Sequence, residues 1–120
     1  TKRRQVVAWY RKYLSDTAEI VLPEEIPGSR SAWHLFVIRV KNLKDRRPLY
    51  NFLKKNGVGV NFHYSTVYSH PYYQKLGFEV KNCPKADHYS QTAITLPLYP
   101  SLKPAQVKYV ADLIKQYYAV

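Results

Sequence analysis

Prolines and glycines partition this chain before any other feature does. Pro48, Pro71, Pro84 and Pro104 each stand near the start of a stretch with helical spacing, and Gly57 and Gly77 close two of those stretches. A proline's fixed φ and missing N–H suit the first turn of a helix and break its interior. A glycine just past the last turn takes the left-handed conformation with no Cβ penalty. Helices are therefore short and bounded, and the apolar runs between them are left to form strands.

Along the chain, Val6, Val7, Tyr10, Tyr13 and Leu14 recur at three- and four-residue spacing, which predicts an amphipathic helix over 2–14. Pro23, Pro27 and Gly28 make residues 20–30 an extended connection with a turn. Residues 33–41 read as a strand with His34, Phe36, Ile38 and Val40 on one face and Leu35, Val37 and Arg39 on the other. Both faces are largely apolar, which places the strand centrally. A helix follows, with Asp45 ahead of Pro48, a buried stripe of Leu49, Phe52 and Leu53, and Gly57 as its stop. Val58, Val60, Phe62 and Tyr64 alternate with Gly59, Asn61 and His63, predicting a second strand with the histidine on its polar face. Short helices over 71–76 and 84–91, a third strand over 93–98 and a closing helix from Pro104 complete the order. Together these predict a single α+β domain over 1–120: a small, mostly antiparallel sheet of about three strands, packed on one side by helices.

Nineteen Lys and Arg against eight Asp and Glu give a formal charge of +11, which attracts phosphates of any origin. These cations are spread along the chain and read mostly as solvated faces. Cys83, the only cysteine, excludes an internal disulfide framework and a thiolate cluster for zinc. No apolar run reaches the length of a membrane span. The basic start at residues 1–4 leads into an amphipathic stretch with Arg11 and Lys12, which argues against a secretory signal and for a cytoplasmic location.

The densest concentration of chemistry is NFHYSTVYSHPYY over 61–73, with two of the four histidines and four of the twelve tyrosines. Phenols and imidazoles hydrogen-bond to phosphate or sugar oxygens and lay an apolar ring against a base or sugar, so His63, Tyr64, Tyr68 and His70 are the candidate ligand contacts. The alternative is that these rings simply pack. A metal site is not expected, because His63 and His70 have no carboxylate or thiolate nearby in sequence. His34 and His88 read as structural histidines. No nucleophile elbow and no glycine-rich phosphate loop occur, and the glycines are scattered at 28, 57, 59 and 77. A basic nucleic-acid-binding module is the alternative function, but the aromatic strand at 33–36 lacks the RNP1 pattern and is not bracketed by basic residues.

Taken in order, AWHLFVIRV, DRRPLYNFLKKNGVGVNFHY, HPYYQKLGF and CPKADHYSQTAITLPLYPSL followed by an amphipathic helix resemble the C-terminal part of the DegT/DnrJ/StrS group of sugar aminotransferases. The resemblance covers essentially the whole chain. It implies the small C-terminal domain of a fold-type-I enzyme whose large domain holds pyridoxal phosphate as a Schiff base on a lysine. That cofactor moves an amino group from glutamate to the ketone of a nucleotide-linked sugar. The stretch HYSTVYSHPYY is most similar to the branch acting on UDP-linked keto sugars in polysaccharide, flagellin-sugar or spore-coat sugar synthesis. The group's His-Tyr pair falls on His63 and Tyr64, which by resemblance contact the nucleotide sugar and take no part in proton transfer. Ser65 and Thr66 follow that pair where the group has an apolar residue and a proline, so Tyr68 and His70 follow a departure from its pattern. The large domain and its cofactor residues have no counterpart here. The resemblance thus implies no catalytic residue, no bound cofactor and no transamination in the isolated chain. It also implies that the large domain and a homodimer of the whole enzyme are the partners. Tyr10, Tyr13, Tyr117 and Tyr118 are the tyrosines expected on a surface facing that missing domain.

Overall fold

The computed structural model describes residues 2–77 and 83–119. Helix α1 (Lys2–Leu14) buries Val6, Val7, Tyr10 and Leu14, the stripe its spacing predicts, and carries Arg11 and Lys12 in its last turn, where the helix dipole favours cations. The connection that follows is clamped back onto α1. Arg4 grips the Glu25 carboxylate with both Nη groups at 3.1 and 3.0 Å, and Arg11 donates to the Pro23 carbonyl at 3.0 Å.

Within that connection lies a two-residue strand, β1 (Ile20–Val21), which pairs antiparallel with β2 (Phe36–Val40). The alternation rule needs several residues to register, so two of them gave no strand signal. Strand β2 is shorter than the expected 33–41, because Trp33 adopts a positive φ of 49° that interrupts extended backbone. On its other side β2 pairs antiparallel with β3 (Ala93–Leu96), in the register Phe36 to Leu96 and Ile38 to Ile94. The order β1-β2-β3 makes β2 central, as its sequence requires.

Alternation along the strands puts Phe36, Ile38, Val40, Ile94 and Leu96 on one face, all fully buried. Helices α1, α2 (Arg46–Lys55) and α5 (Pro104–Tyr118) supply Tyr10, Leu14, Leu49, Leu53, Val107 and Ile114 to the same core. Tyr10 stacks on Phe36 with centroids 4.8 Å apart and donates its hydroxyl to the Pro97 carbonyl at 2.9 Å. That corrects its expected place on an outward surface: Tyr10 is a core ring, and Tyr13, Tyr117 and Tyr118 lie half-buried against the core.

A second correction concerns residues 58–64. Val58 and Val60 are buried and Gly59 and Asn61 exposed, as the alternation predicts, yet the segment pairs only at Asn61, which exchanges backbone hydrogen bonds with Thr95 at 3.2 and 2.8 Å. The Asn61 side chain accepts the Phe62 N–H at 2.8 Å, a local bond on the edge of the segment that faces away from β3. The third strand of the sheet is β1 instead.

Helix α2 ends as expected, with Gly57 at φ 77° and the Val58 N–H bonded to the Leu53 carbonyl at 3.0 Å. Two short helices, α3 (Pro71–Lys75) and α4 (Pro84–Thr92), follow, and α4 runs directly into β3. Tyr89 of α4 lines a shallow hollow with Leu35, Val37 and Arg39, on the sheet face away from the core. The three longer helices therefore cover one face and leave the other partly open. No helix among the described residues is long and apolar enough to cross a membrane.

Candidate functional site

Thr95 sits on β3 between Ile94 and Leu96, so its side chain points away from the core face. There its hydroxyl lies 3.0 Å from His63 Nδ1, which anchors the half-buried imidazole against the sheet. The adjoining peptide to Tyr64 is cis, and the two rings meet at 4.6 Å in a tilted contact. Tyr64 is 70% exposed, a large ring left for something other than the core of this chain. His63 and Tyr64 thus form a fixed imidazole beside an open phenol.

The other two candidates are placed differently. Tyr68 donates to Asp87 Oδ1 on α4 at 2.6 Å, and this bond, with burial second, pushes its phenol above the ordinary tyrosine range. That hydroxyl ties the loop to α4. His70 is the exposed residue ahead of α3, where its carbonyl accepts the Gln74 N–H at 3.1 Å. The structure brings His63 and Tyr64 together, gives Tyr68 a partner within the fold, and leaves His70 at the surface.

What the sequence reading missed stands next to His63. The Phe62 ring stacks on Tyr50 of α2 at 4.2 Å, and the Arg46 guanidinium lies 3.8 Å from the Phe62 centroid. Arg47 lies 4.9 Å from the same centroid, and Lys54 lies 5.9 Å from that of Tyr50. Arg46 also donates its Nε–H to the Ala93 carbonyl at 3.1 Å. Burial, with Arg47 as the lesser cause, pulls the Arg46 guanidinium below its ordinary value. The available signal was the four-residue spacing of Arg46, Tyr50 and Lys54, which puts a cation, a ring and a cation on one face of α2.

Other chemistry finds less support. Among the described residues no group of three or more His, Cys, Asp or Glu could hold a metal ion. His34 and His88 are both exposed. On the sheet face away from the core the strands contribute Leu35, Val37, Arg39 and the buried Thr95, so none of the strand residues described there carries an aromatic ring of the kind single-stranded RNA stacks on. An open cavity of about 600 Å³ between Gly57, Tyr99, Leu102 and Tyr109 includes none of the four candidate residues.

The chain aligns with the spore coat polysaccharide biosynthesis protein SpsC of Bacillus subtilis at 29% identity, over 95% of this chain and 31% of SpsC. It aligns with the erythromycin biosynthesis sensory transduction protein EryC1 of Saccharopolyspora erythraea at 34% identity, over 95% of this chain and 31% of EryC1. The PLP form of Spr1654 from Streptococcus pneumoniae superposes with a TM-score of 0.87 at 29% identity, covering 96% of this chain and 30% of that one. The chain spans about a third of the length of these relatives. A family profile, that of the DegT/DnrJ/EryC1/StrS aminotransferases, matches residues 1–115. With an α+β sheet in this order and a profile match over nearly the whole chain, this protein belongs to the DegT/DnrJ/EryC1/StrS aminotransferase family.

Proposed function

We propose that this chain is the small C-terminal domain of a pyridoxal-phosphate-dependent sugar aminotransferase and forms the sugar-nucleotide side of its active-site cleft. The whole enzyme transfers an amino group, with glutamate as donor, to the ketone of a UDP-linked sugar. That reaction serves surface polysaccharide or glycan synthesis in the cytoplasm, and the enzyme works as a homodimer built mainly on its large domains. The observation that carries this reading is the His63–Tyr64 pair, with the imidazole anchored 3.0 Å from the Thr95 hydroxyl and the phenol 70% exposed. An anchored donor and a free ring suit a ligand with both hydroxyls and an apolar face.

The lysines described here do not fit the cofactor. A Schiff-base lysine needs a desolvated amine whose pKa has fallen. Every described lysine but Lys115 is exposed, and Lys115 is paired with Asp16 at 2.6 Å. We assign the residues that hold the cofactor to the large domain, and no proton transfer to His63 or Tyr64. A two-dimensional amide NMR titration with a UDP-sugar tests the reading, with a short RNA as comparison and salt varied. Saturable shifts centred on His63 and Tyr64 are expected with the UDP-sugar. Tight, salt-dependent RNA binding across the sheet with no UDP-sugar response would sink the proposal.

A further inference from the structure

We propose that the hollow between residues 57–59, the turn at 99–102 and the first half of α5 binds a small amphipathic anion, a planar apolar body carrying one carboxylate or similar acid group. None of His63, Tyr64, Tyr68 and His70 lines this hollow, so the site stands whether or not the nucleotide-sugar reading holds. It originates in the backbone. Asn61 opposite Thr95 sets an antiparallel register that brings Gly59 opposite Pro97. A proline has no N–H to give, and the Val60 N–H turns back to the Val58 carbonyl at 3.0 Å. Pairing stops there, and an open cavity of about 600 Å³ lies alongside. Such a volume is within the range of small-ligand pockets. No hydrogen bond within the described structure engages the Gly59 backbone, and a Cβ at that position would meet no atom within 4 Å.

The lining selects the apolar body. Val58, Leu102 and Val110 contribute buried side chains, and Tyr99 and Tyr109 contribute rings that are 43% and 50% exposed. The Leu102 N–H bonded to the Tyr99 carbonyl at 3.2 Å folds the turn, and the Tyr109 hydroxyl donates to the Asn56 carbonyl at 3.1 Å, which fixes that ring as a wall. Half-open tyrosines over an aliphatic floor suit a flat ring. The surrounding charge selects the acid group. The two stretches that carry the lining residues, 54–60 and 97–110, hold Lys54, Lys55, Lys103 and Lys108 and no Asp or Glu. Lys108 is paired with Asp112 at 2.6 Å and Lys54 lies over the Tyr50 ring. Lys55 and Lys103, both exposed, have no ion pair among the described residues. Lys103 directly follows Leu102, and Gln106 gives its Oε1 to the Lys103 N–H at 2.9 Å and keeps its amide N–H donors. An amine in this hollow meets a field of its own sign, whereas an acid group finds cations and donors at the rim.

The test is an amide NMR titration of this chain with three probes that share one ring system: 2-naphthylacetate, 2-(2-naphthyl)ethanol and 2-(2-naphthyl)ethylamine. Expected are saturable shifts at Gly59, Leu102 and Tyr109, with the acetate binding about fivefold tighter than the alcohol, as for one solvent-exposed charge contact. The amine is expected to bind weakest, and the gap between acetate and alcohol to close in about 0.5 M NaCl. Two variants fill the hollow from opposite sides. Gly59→Leu sits where φ is not positive and nothing lies within 4 Å, and Ala105→Leu sits at an exposed position of α5 that lines the hollow. Either one, with the rest of its spectrum unchanged, is expected to weaken all three probes about tenfold, roughly the loss of a buried ring contact. Lys103→Gln is expected to bring the acetate down to the alcohol and leave the alcohol unchanged. Equal affinity for acetate, alcohol and amine overturns the anion assignment and leaves a merely apolar hollow. Shifts centred elsewhere, or binding undiminished in both filled variants, overturn the site itself.

Discussion

Two tyrosine hydroxyls with opposite fates show what single groups contribute here. Tyr10 donates to the Pro97 carbonyl at 2.9 Å, whereas the buried Tyr118 hydroxyl has no hydrogen-bond partner among the described residues. Removing a satisfied donor loses a bond and orphans its acceptor, while removing an unsatisfied one relieves a desolvation penalty. Tyr10→Phe is therefore expected to lower stability by about 1 kcal/mol, and Tyr118→Phe to leave it unchanged or raise it by up to about 1 kcal/mol. Urea denaturation of both variants checks this, and a loss in Tyr118→Phe as large as in Tyr10→Phe would mean the second hydroxyl does have a partner. Residue partnerships at long range were also the least legible in the sequence. His63 and Tyr64 stood out because they are adjacent and polar-tipped. Nothing local announced that Thr95 would anchor His63, that Asp87 would take Tyr68, or that Ala93 would engage Arg46 from 47 residues away.

For the elements, glycine conformation makes a sharp contrast inside one short stretch. Gly57 sits at φ 77° and Gly59 does not share the positive φ, while a Cβ at either position would meet no atom within 4 Å. Only the backbone preference then separates them. Gly57→Ala should cost about 1 kcal/mol, from forcing an L-residue into the left-handed region, and Gly59→Ala should be close to neutral. Matched chemical denaturation decides it, and equal losses would show that space and not φ governs both sites. The punctuation that makes Gly57 a stop also made the helices legible, since Pro71, Pro84 and Pro104 each begin a helix in the structure. Strands were harder, because alternation reports which side chains are buried and not which backbone groups are paired. Residues 58–61 alternate and barely pair, and Ile20–Val21 pair without length enough to alternate.

Taken as a whole, the molecule holds several phenols in their protonated form more strongly than the unfolded chain does. Burial pushes Tyr10 and Tyr118 above the ordinary tyrosine range, and it is the leading cause for Tyr89 and Tyr117 as well. A folded pKa above the unfolded value means the native state holds more protons, so this stability is full below about pH 10 and is lost as pH rises through the folded values. The urea midpoint is expected to hold steady from about pH 7 to 9 and fall steeply above about pH 10. A midpoint flat to about pH 11.5 would contradict it. The free margin of β3 has a different consequence. Thr95 turns its backbone groups outward and gives them to Asn61, and Ala93, two residues back, gives its outward carbonyl to Arg46. That margin is blocked by its own chain and cannot template a strand from a neighbour, so any growth of the sheet into fibres or stacked oligomers would have to begin at the two-residue β1.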